Sequence, residues 1–205
     1  MKIVIAVATR HGSTREIAEQ IAASLRAGLE EAGTSAEVDV ADAAHVESFA
    51  GCDAAVIGSA VYFGHWLDPA RQLVREHREE LSRIPVWLFS SGPVGQRTRP
   101  GEDPVDATDV LACCAAREHR LFGGKIDRSV LHFPERAVVA ALRAKDGDNR
   151  DWPVIRAWGQ AIARQLSDAR RGPSSLGFGQ SGSGATAAAR GLLKARPRSR
   201  REERA

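Results

Sequence analysis

Three short stretches carry side chains suited to holding an anion and a flat ring. The first is Thr9-Arg10-His11-Gly12-Ser13-Thr14, where three hydroxyls and a glycine follow an apolar run. The second, Ser59-Ala60-Val61-Tyr62-Phe63-Gly64-His65-Trp66, holds three aromatics and an imidazole. The third is Ser90-Ser91-Gly92-Pro93-Val94-Gly95. A strand that passes through a turn directly into a helix leaves the first helical N–H groups without intrahelical partners. The helix dipole favours negative charge at that point. Thr9, Ser13 and Thr14 add hydroxyl donors, and Gly12 lets the backbone approach a phosphate with no Cβ in the way. Neither a Lys-Ser/Thr pair closing a phosphate loop nor a G-x-G-x-x-G run is present, so the cage suits a phosphate monoester better than a triphosphate. The competing explanation is an ordinary turn that carries small polar residues.

In the second stretch Tyr62, Phe63 and Trp66 offer apolar faces for stacking on a ring, or fill space between loop and helix. Gly58, Gly64, Gly92 and Gly95 permit tight turns and let backbone N–H groups point at a ring. Of the histidines, His11 and His65 fall in loops that should converge. His65 is the candidate catalytic proton donor, because an imidazole exchanges protons near neutral pH. His77 reads as a packed core residue and His119 as structural, while His45 and His132 carry no context. Arg97 and Arg99 follow the third stretch and can face an anionic substrate or simply solvent. Cys52, Cys113 and Cys114 form no metal spacing and read as reduced, small residues in or near a core.

These stretches need elements to position them. Residues 2–8 are apolar and β-branched, the pattern of a strand buried on both faces. Ile17, Ile21, Leu25 and Leu29, with Ala18 and Ala22, then mark one helical face, and Gly33 is a stop signal. Residues 36–40 alternate like an edge strand, and 53–58 and 85–89 read as buried strands. Asp68-Pro69 opens a helix whose inner face is Leu73, Val74, His77 and Leu81. A polar, Pro-rich loop spans about 96–104. Residues 105–118 follow as a helix, 119–126 as a fifth strand region and 133–144 as a weak helix. The closing helix is capped by Asp151 and striped by Ile155, Trp158, Ile162 and Leu166. Alternating strands and helices predict an α/β fold: a five-stranded parallel sheet with helices on both faces and a ligand crevice at the strands' carboxyl ends.

The chain has 205 residues, 43% of them hydrophobic and 27% charged, enough for one domain with a real core. No run is long and apolar enough for a membrane span, and the N-terminus reads as a strand rather than a leader. The net charge of +3 is unevenly spread. Residues 171–205 hold eight Lys/Arg and two acids, a balance of +6, which leaves 1–170 at −3. The expected organisation is therefore a domain over 1–170 and a flexible, disordered basic tail over 171–205. Such a tail suits peripheral contact with an anionic membrane, simple solubilisation, or nonspecific nucleic-acid contact; no specific nucleic acid is expected.

At these loops the chain resembles the flavodoxin-like FMN-binding domains, whose first loop runs roughly T-x-T-G-x-T. Thr9, Gly12 and Thr14 match, and His11 stands where the electron carriers have a hydroxyl. The form T-R-x-G-x-T-R-E-I-A is similar to the menaquinone-dependent protoporphyrinogen oxidase branch. The resemblance covers about residues 1–166. It implies a doubly wound sheet of strand order 2-1-3-4-5 and FMN as cofactor. The phosphate falls on Thr9, Arg10, His11, Gly12, Ser13 and Thr14. The isoalloxazine is flanked by Ser59, Ala60, Val61, Tyr62, Gly64 and Trp66, and by Ser90, Ser91, Gly92, Pro93, Val94 and Gly95.

In function the resemblance implies an FMN-dependent oxidoreductase of heme biosynthesis. It passes electrons from a reduced organic substrate, a porphyrinogen in that branch, to a quinone. The expected partners are these small molecules, a homodimer stays open, and the location is cytoplasmic or peripheral to the inner membrane face. An electron carrier that docks on proteins is the second reading, and a flavin-free binding module the third. The third loop lacks an aromatic lid, and His11, His65, Arg97 and Arg99 do not make an acidic docking rim, which favours the enzyme.

Overall fold

The computed structural model describes residues 1–92, 108–126 and 147–171, all within one compact unit, Met1–Gly172. The expected helix at 133–144, the third loop from Pro93, Arg97, Arg99, His132 and the basic tail beyond Arg171 lie outside the described residues.

The chain enters as strand β1 (Lys2–Ala8), helix α1 (Ser13–Glu31) and strand β2 (Glu37–Asp42). Strand β3 (Ala54–Tyr62) turns back at once as the short β4 (His65–Trp66), and helices α2 (Asp68–Glu76) and α3 (Arg78–Leu81) follow. Then come β5 (Val86–Gly92), α4 (Thr108–Cys114), β6 (Glu118–Gly123) and β7 (Lys125–Ile126). The described chain closes with β8 (Gly147–Asp148) and α5 (Trp152–Arg171). The parallel strands run in the order β2-β1-β3-β5-β6, with β4 antiparallel on β3. Setting the β4 return aside, this is the doubly wound order that the resemblance implies.

Alternation along each strand sorts the core into two layers. Ile3, Ile5 and Val7 of β1 face α1 and α5, where Ile17, Ile21, Leu25 and Leu29 meet Ile155, Trp158, Ile162 and Leu166. Val4, Ala6 and Ala8 face the other way, onto Ala70, Leu73 and Val74 of α2, Leu81 of α3 and Val110 of α4. Each fully buried large aliphatic contributes about 1.5–3 kcal/mol from leaving water. The two long helices approach closely because small residues meet between them. A Cβ on Gly159 would lie 2.9 Å from the Ile21 carbonyl oxygen and from the Ser24 Cβ. Helix α1 ends as its sequence indicates: Gly33 N–H donates to Glu30 O at 2.9 Å and Thr34 N–H to Leu29 O at 2.8 Å, a Schellman closure.

Several boundaries differ from expectation. Strands β3 and β5 continue past Gly58 and Phe89, so Ser59, Ala60, Ser90 and Ser91 are buried strand residues rather than loop residues. The helix from Asp68 breaks at His77, which is half-buried, edge-on to Phe49 and with Nδ1 3.5 Å from Glu80 Oε1. Strand β6 stops at Gly123, where the chain crosses so tightly that a Cβ would lie 2.0 Å from Asn149 O. Residues 125–126 therefore leave the main sheet and pair with 147–148. Cys52 and Cys114 are buried and Cys113 half-buried, all free thiols; burial pushes the Cys114 thiol up to about 11. Among the described residues no helix is long and apolar enough to cross a membrane.

Candidate functional site

Parallel strands bring their carboxyl ends to one edge, and the register fixes the level. Ala8 lies beside Ser59, and Ser59 beside Ser90. Beyond that level stand the turn at 9–12, the β3–β4 hairpin and the last two residues of β5.

The turn is built to leave donors open. Gly12 takes φ +82°, a left-handed conformation that costs most residues roughly 1–2 kcal/mol, and nothing lies within 4 Å of where its Cβ would be. Its N–H donates to Thr9 Oγ1 at 3.1 Å, and its carbonyl accepts the first helical bond from Glu16 N–H at 3.0 Å. Gly12 has no side chain with which to cap the start of α1, and among the described residues none takes that place, which leaves the first-turn N–H groups to an incoming anion. Ser13 is half-buried, and its Oγ accepts from Lys125 N–H at 3.2 Å. Thr14 is buried, while Arg10 and His11 are exposed. The Arg10 guanidinium lies 4.5 Å over the Tyr62 ring, joining this turn to the hairpin.

The hairpin turns through Phe63 and Gly64, both with positive φ (52° and 80°), the pair of angles that a tight two-residue connection requires. Phe63 is 77% exposed at its tip, His65 is exposed, and Val61 and Tyr62 are half-buried. Trp66 points the other way. It is buried in the α2–α4 layer, and its indole N–H donates to Ser90 Oγ at 2.7 Å. The stacking role expected of Trp66 is therefore corrected: register places it opposite Val61 on the inner side of the hairpin. Ser59 is likewise turned inward, its hydroxyl donating to Ala60 O at 2.8 Å and accepting from Leu67 N–H at 3.0 Å. Gly58 does not serve a turn either, since a Cβ there would fall 2.1 Å from ring carbons of Phe89. Gly92 closes β5, with its carbonyl accepting from Gly124 N–H at 2.8 Å. Pro93, Val94 and Gly95 lie outside the described residues.

This edge resembles a family known from many proteins. A family model described as Flavodoxin domain matches residues 4–152. The chain belongs to the flavodoxin domain family. It is also 32% identical over 99 residues to the protoporphyrinogen IX dehydrogenase [quinone] of Escherichia coli K12, an alignment covering 47% of this chain. The chain spans about half (51%) of the length of that curated relative. Among solved structures it is similar to a flavodoxin from the domain Archaea (16% identity, 82% of this chain, 100% of the other, TM-score 0.53). It is similar also to oxidised flavodoxin 1 of Bacillus cereus (16% identity, 80% and 98%, TM-score 0.52). At such identities these two speak for the fold alone.

Membership of the flavodoxin family implies FMN as the cofactor, and the turn of this flavodoxin domain fits the phosphate end. It offers an uncapped helix start, an open cradle at Gly12 and the hydroxyls of Thr9 and Ser13. Two further residues bear on this edge: His119, which reads from the sequence only as structural, and Arg150, to which no sequence signal points. His119 places Nε2 2.8 Å from Ser90 Oγ and lies edge-on to Trp66, with ring centroids 6.2 Å apart. Its alternation with Leu121 on one strand face is the only signal that could have found it. Arg150 reaches the first turn of α1 from far along the chain, pairing with Glu16 at 2.6 Å and Asp148 at 2.7 Å. Nothing in its local sequence distinguishes it from arginines that face solvent, although its side chain is buried.

Proposed function

We propose that this flavodoxin domain holds one FMN at the carboxyl edge of its sheet and works as an oxidoreductase, passing electrons from a reduced organic substrate to a quinone. The observation that carries the cofactor part is the uncapped start of α1, with Gly12 in the left-handed region and its N–H fixed by Thr9. When bound, FMN supplies the two-electron chemistry, and the protein supplies position and electrostatics. Thr9, Ser13, Thr14 and the first-turn N–H groups hold the phosphate. Tyr62, braced by Arg10, and the Val61–Gly64 backbone flank the ring. His65, exposed beside the hairpin tip, is the proposed proton donor. The quinone and a porphyrinogen-class donor come from likeness to the curated relative, and no acidic residue among 9–14 or 59–66 provides a rim for docking on basic proteins.

The test has two stages. The purified chain is mixed with FMN, and the visible spectrum and flavin fluorescence are followed. Binding that is lost in Gly12→Val, with the circular dichroism unchanged, supports the site, and a parent that takes up no FMN refutes it. The loaded protein is then reduced without oxygen and mixed rapidly with a soluble quinone analogue. Prompt second-order reoxidation, slowed in His65→Ala, supports the oxidoreductase. If the flavin stays reduced with quinone and reoxidises only with a protein partner, the carrier explanation holds instead.

A further inference from the structure

We propose that Arg150 is a positioning residue for the phosphate-binding turn, clamping the first turn of α1 to the β7–β8 ribbon; the inference rests on the FMN-phosphate site proposed above. Its side chain is 4% exposed, an unusual location for a guanidinium that had no task. Each of its three nitrogens is engaged. Nε and Nη2 form a fork on Asp148, each 2.7 Å from one carboxylate oxygen, and the Arg150 backbone N–H meets the same carboxylate at 3.1 Å. Nη1 reaches Glu16 Oε2 at 2.6 Å and the Ser13 carbonyl oxygen at 3.4 Å. The flat face lies 4.4 Å over the Trp152 ring.

Two consequences for an incoming phosphate follow from this placement. The first is geometric. Ser13 is held from one side, through its carbonyl by Arg150 and through its hydroxyl by Lys125 N–H at 3.2 Å. The first-turn N–H groups thus keep their aim without any side-chain cap at Gly12. The second is electrostatic. Glu16 is the acidic residue in the first turn, where its charge is favourable to the helix but opposes a bound dianion. Arg150 pairs with that carboxylate and carries a second acid, Asp148, with it. A planar five-donor fork can serve both acids and a carbonyl together, whereas a lysine ammonium cannot.

The test compares FMN with riboflavin, which shares the ring and ribityl chain and lacks the phosphate. Arg150→Lys in the full chain is titrated with each flavin by fluorescence quenching, after circular dichroism has established the fold. The expected result is a loss of roughly tenfold or more in the preference for FMN over riboflavin, the scale of one charge-assisted hydrogen bond, with riboflavin affinity changed by less than about twofold. A folded Arg150→Lys protein with the parent's FMN-to-riboflavin ratio overturns the proposal. If Arg150→Lys does not fold, Asp148→Glu takes its place: it keeps the carboxylate charge while displacing the fork by one methylene, and an FMN-to-riboflavin ratio equal to the parent's overturns the proposal. A parent that shows no preference for FMN overturns the phosphate site itself, a failure seen before any variant is made.

Discussion

The indole N–H of Trp66 donates to the Ser90 hydroxyl at 2.7 Å, tying the β3–β4 hairpin to β5 inside the α2–α4 layer. The same hydroxyl lies 2.8 Å from His119 Nε2. An indole can only donate, so Ser90 accepts from Trp66 and keeps its own proton to share with the imidazole. The second stretch is therefore anchored by its last aromatic and presents its earlier ones.

Trp66→Phe is expected to lower stability by roughly 1–3 kcal/mol, because it removes a buried donor and leaves Ser90 short of a partner. FMN affinity should stay close to that of the parent. Urea unfolding and a flavin titration on the same preparation check both. An unchanged unfolding midpoint with weakened flavin binding would restore a stacking role to Trp66.

Gly58 makes a different prediction. A Cβ there would overlap the Phe89 ring at 2.1 Å, and Phe89 is itself locked edge-on to Trp158 and tilted against Phe122. Gly58→Ala should cost about 3 kcal/mol or more, the upper range for overpacking a core. Adding Phe89→Leu should recover part of that loss even though it removes aromatic contacts. Thermal unfolding of the two single variants and the double variant measures the coupling. Strictly additive losses would count against the overlap.

Where the sequence was legible, one periodic signal sufficed. Ile17, Ile21, Leu25 and Leu29 fall on the core exactly as a helical face should, and Ile155, Trp158, Ile162 and Leu166 meet them from α5. The edge at which the loops gather follows from β/α alternation, whereas the strand order β2-β1-β3-β5-β6 is implied only by the family resemblance. What could not be read was where a strand yields to a loop. Ser59, Ala60, Ser90 and Ser91 are small and polar or neutral, like loop residues, yet all four are buried, and the Ser59 and Ser90 hydroxyls find partners inside the sheet layers. Trp66 looked available for a ring because orientation in a hairpin depends on register, which is a pairing property. Arg150 and Glu16 are 134 positions apart, and no local pattern announces such a pair.

Acid should loosen the protein from the ribbon and the β6 edge. The fork from Arg150 holds the Asp148 carboxyl below its ordinary 3.8, with a smaller contribution from nearby Lys125. Burial alone would raise Glu118, but its hydrogen bonds from Arg120 at 2.8 Å and from the Trp158 indole at 2.9 Å prevail, and it sits below its ordinary 4.5. Glu80 is lowered as well, by the Phe49 N–H and the Ser48 hydroxyl. For each group the folded pKa lies under the unfolded one, so the folded state binds fewer protons between the two. The stabilisation is thus complete above about pH 4.5 and is lost as pH falls through the folded values. Asp148 and Glu118 are 39% and 33% exposed as side chains, so solvent screening keeps their shares modest. Urea unfolding at pH 7, 5, 4 and 3 should show a steady stability between the first two and a decline below. Glu118→Gln and Asp148→Asn should each start less stable at neutral pH and decline less steeply. Parallel pH curves for parent and variants would mean that other carboxylates govern the acid response.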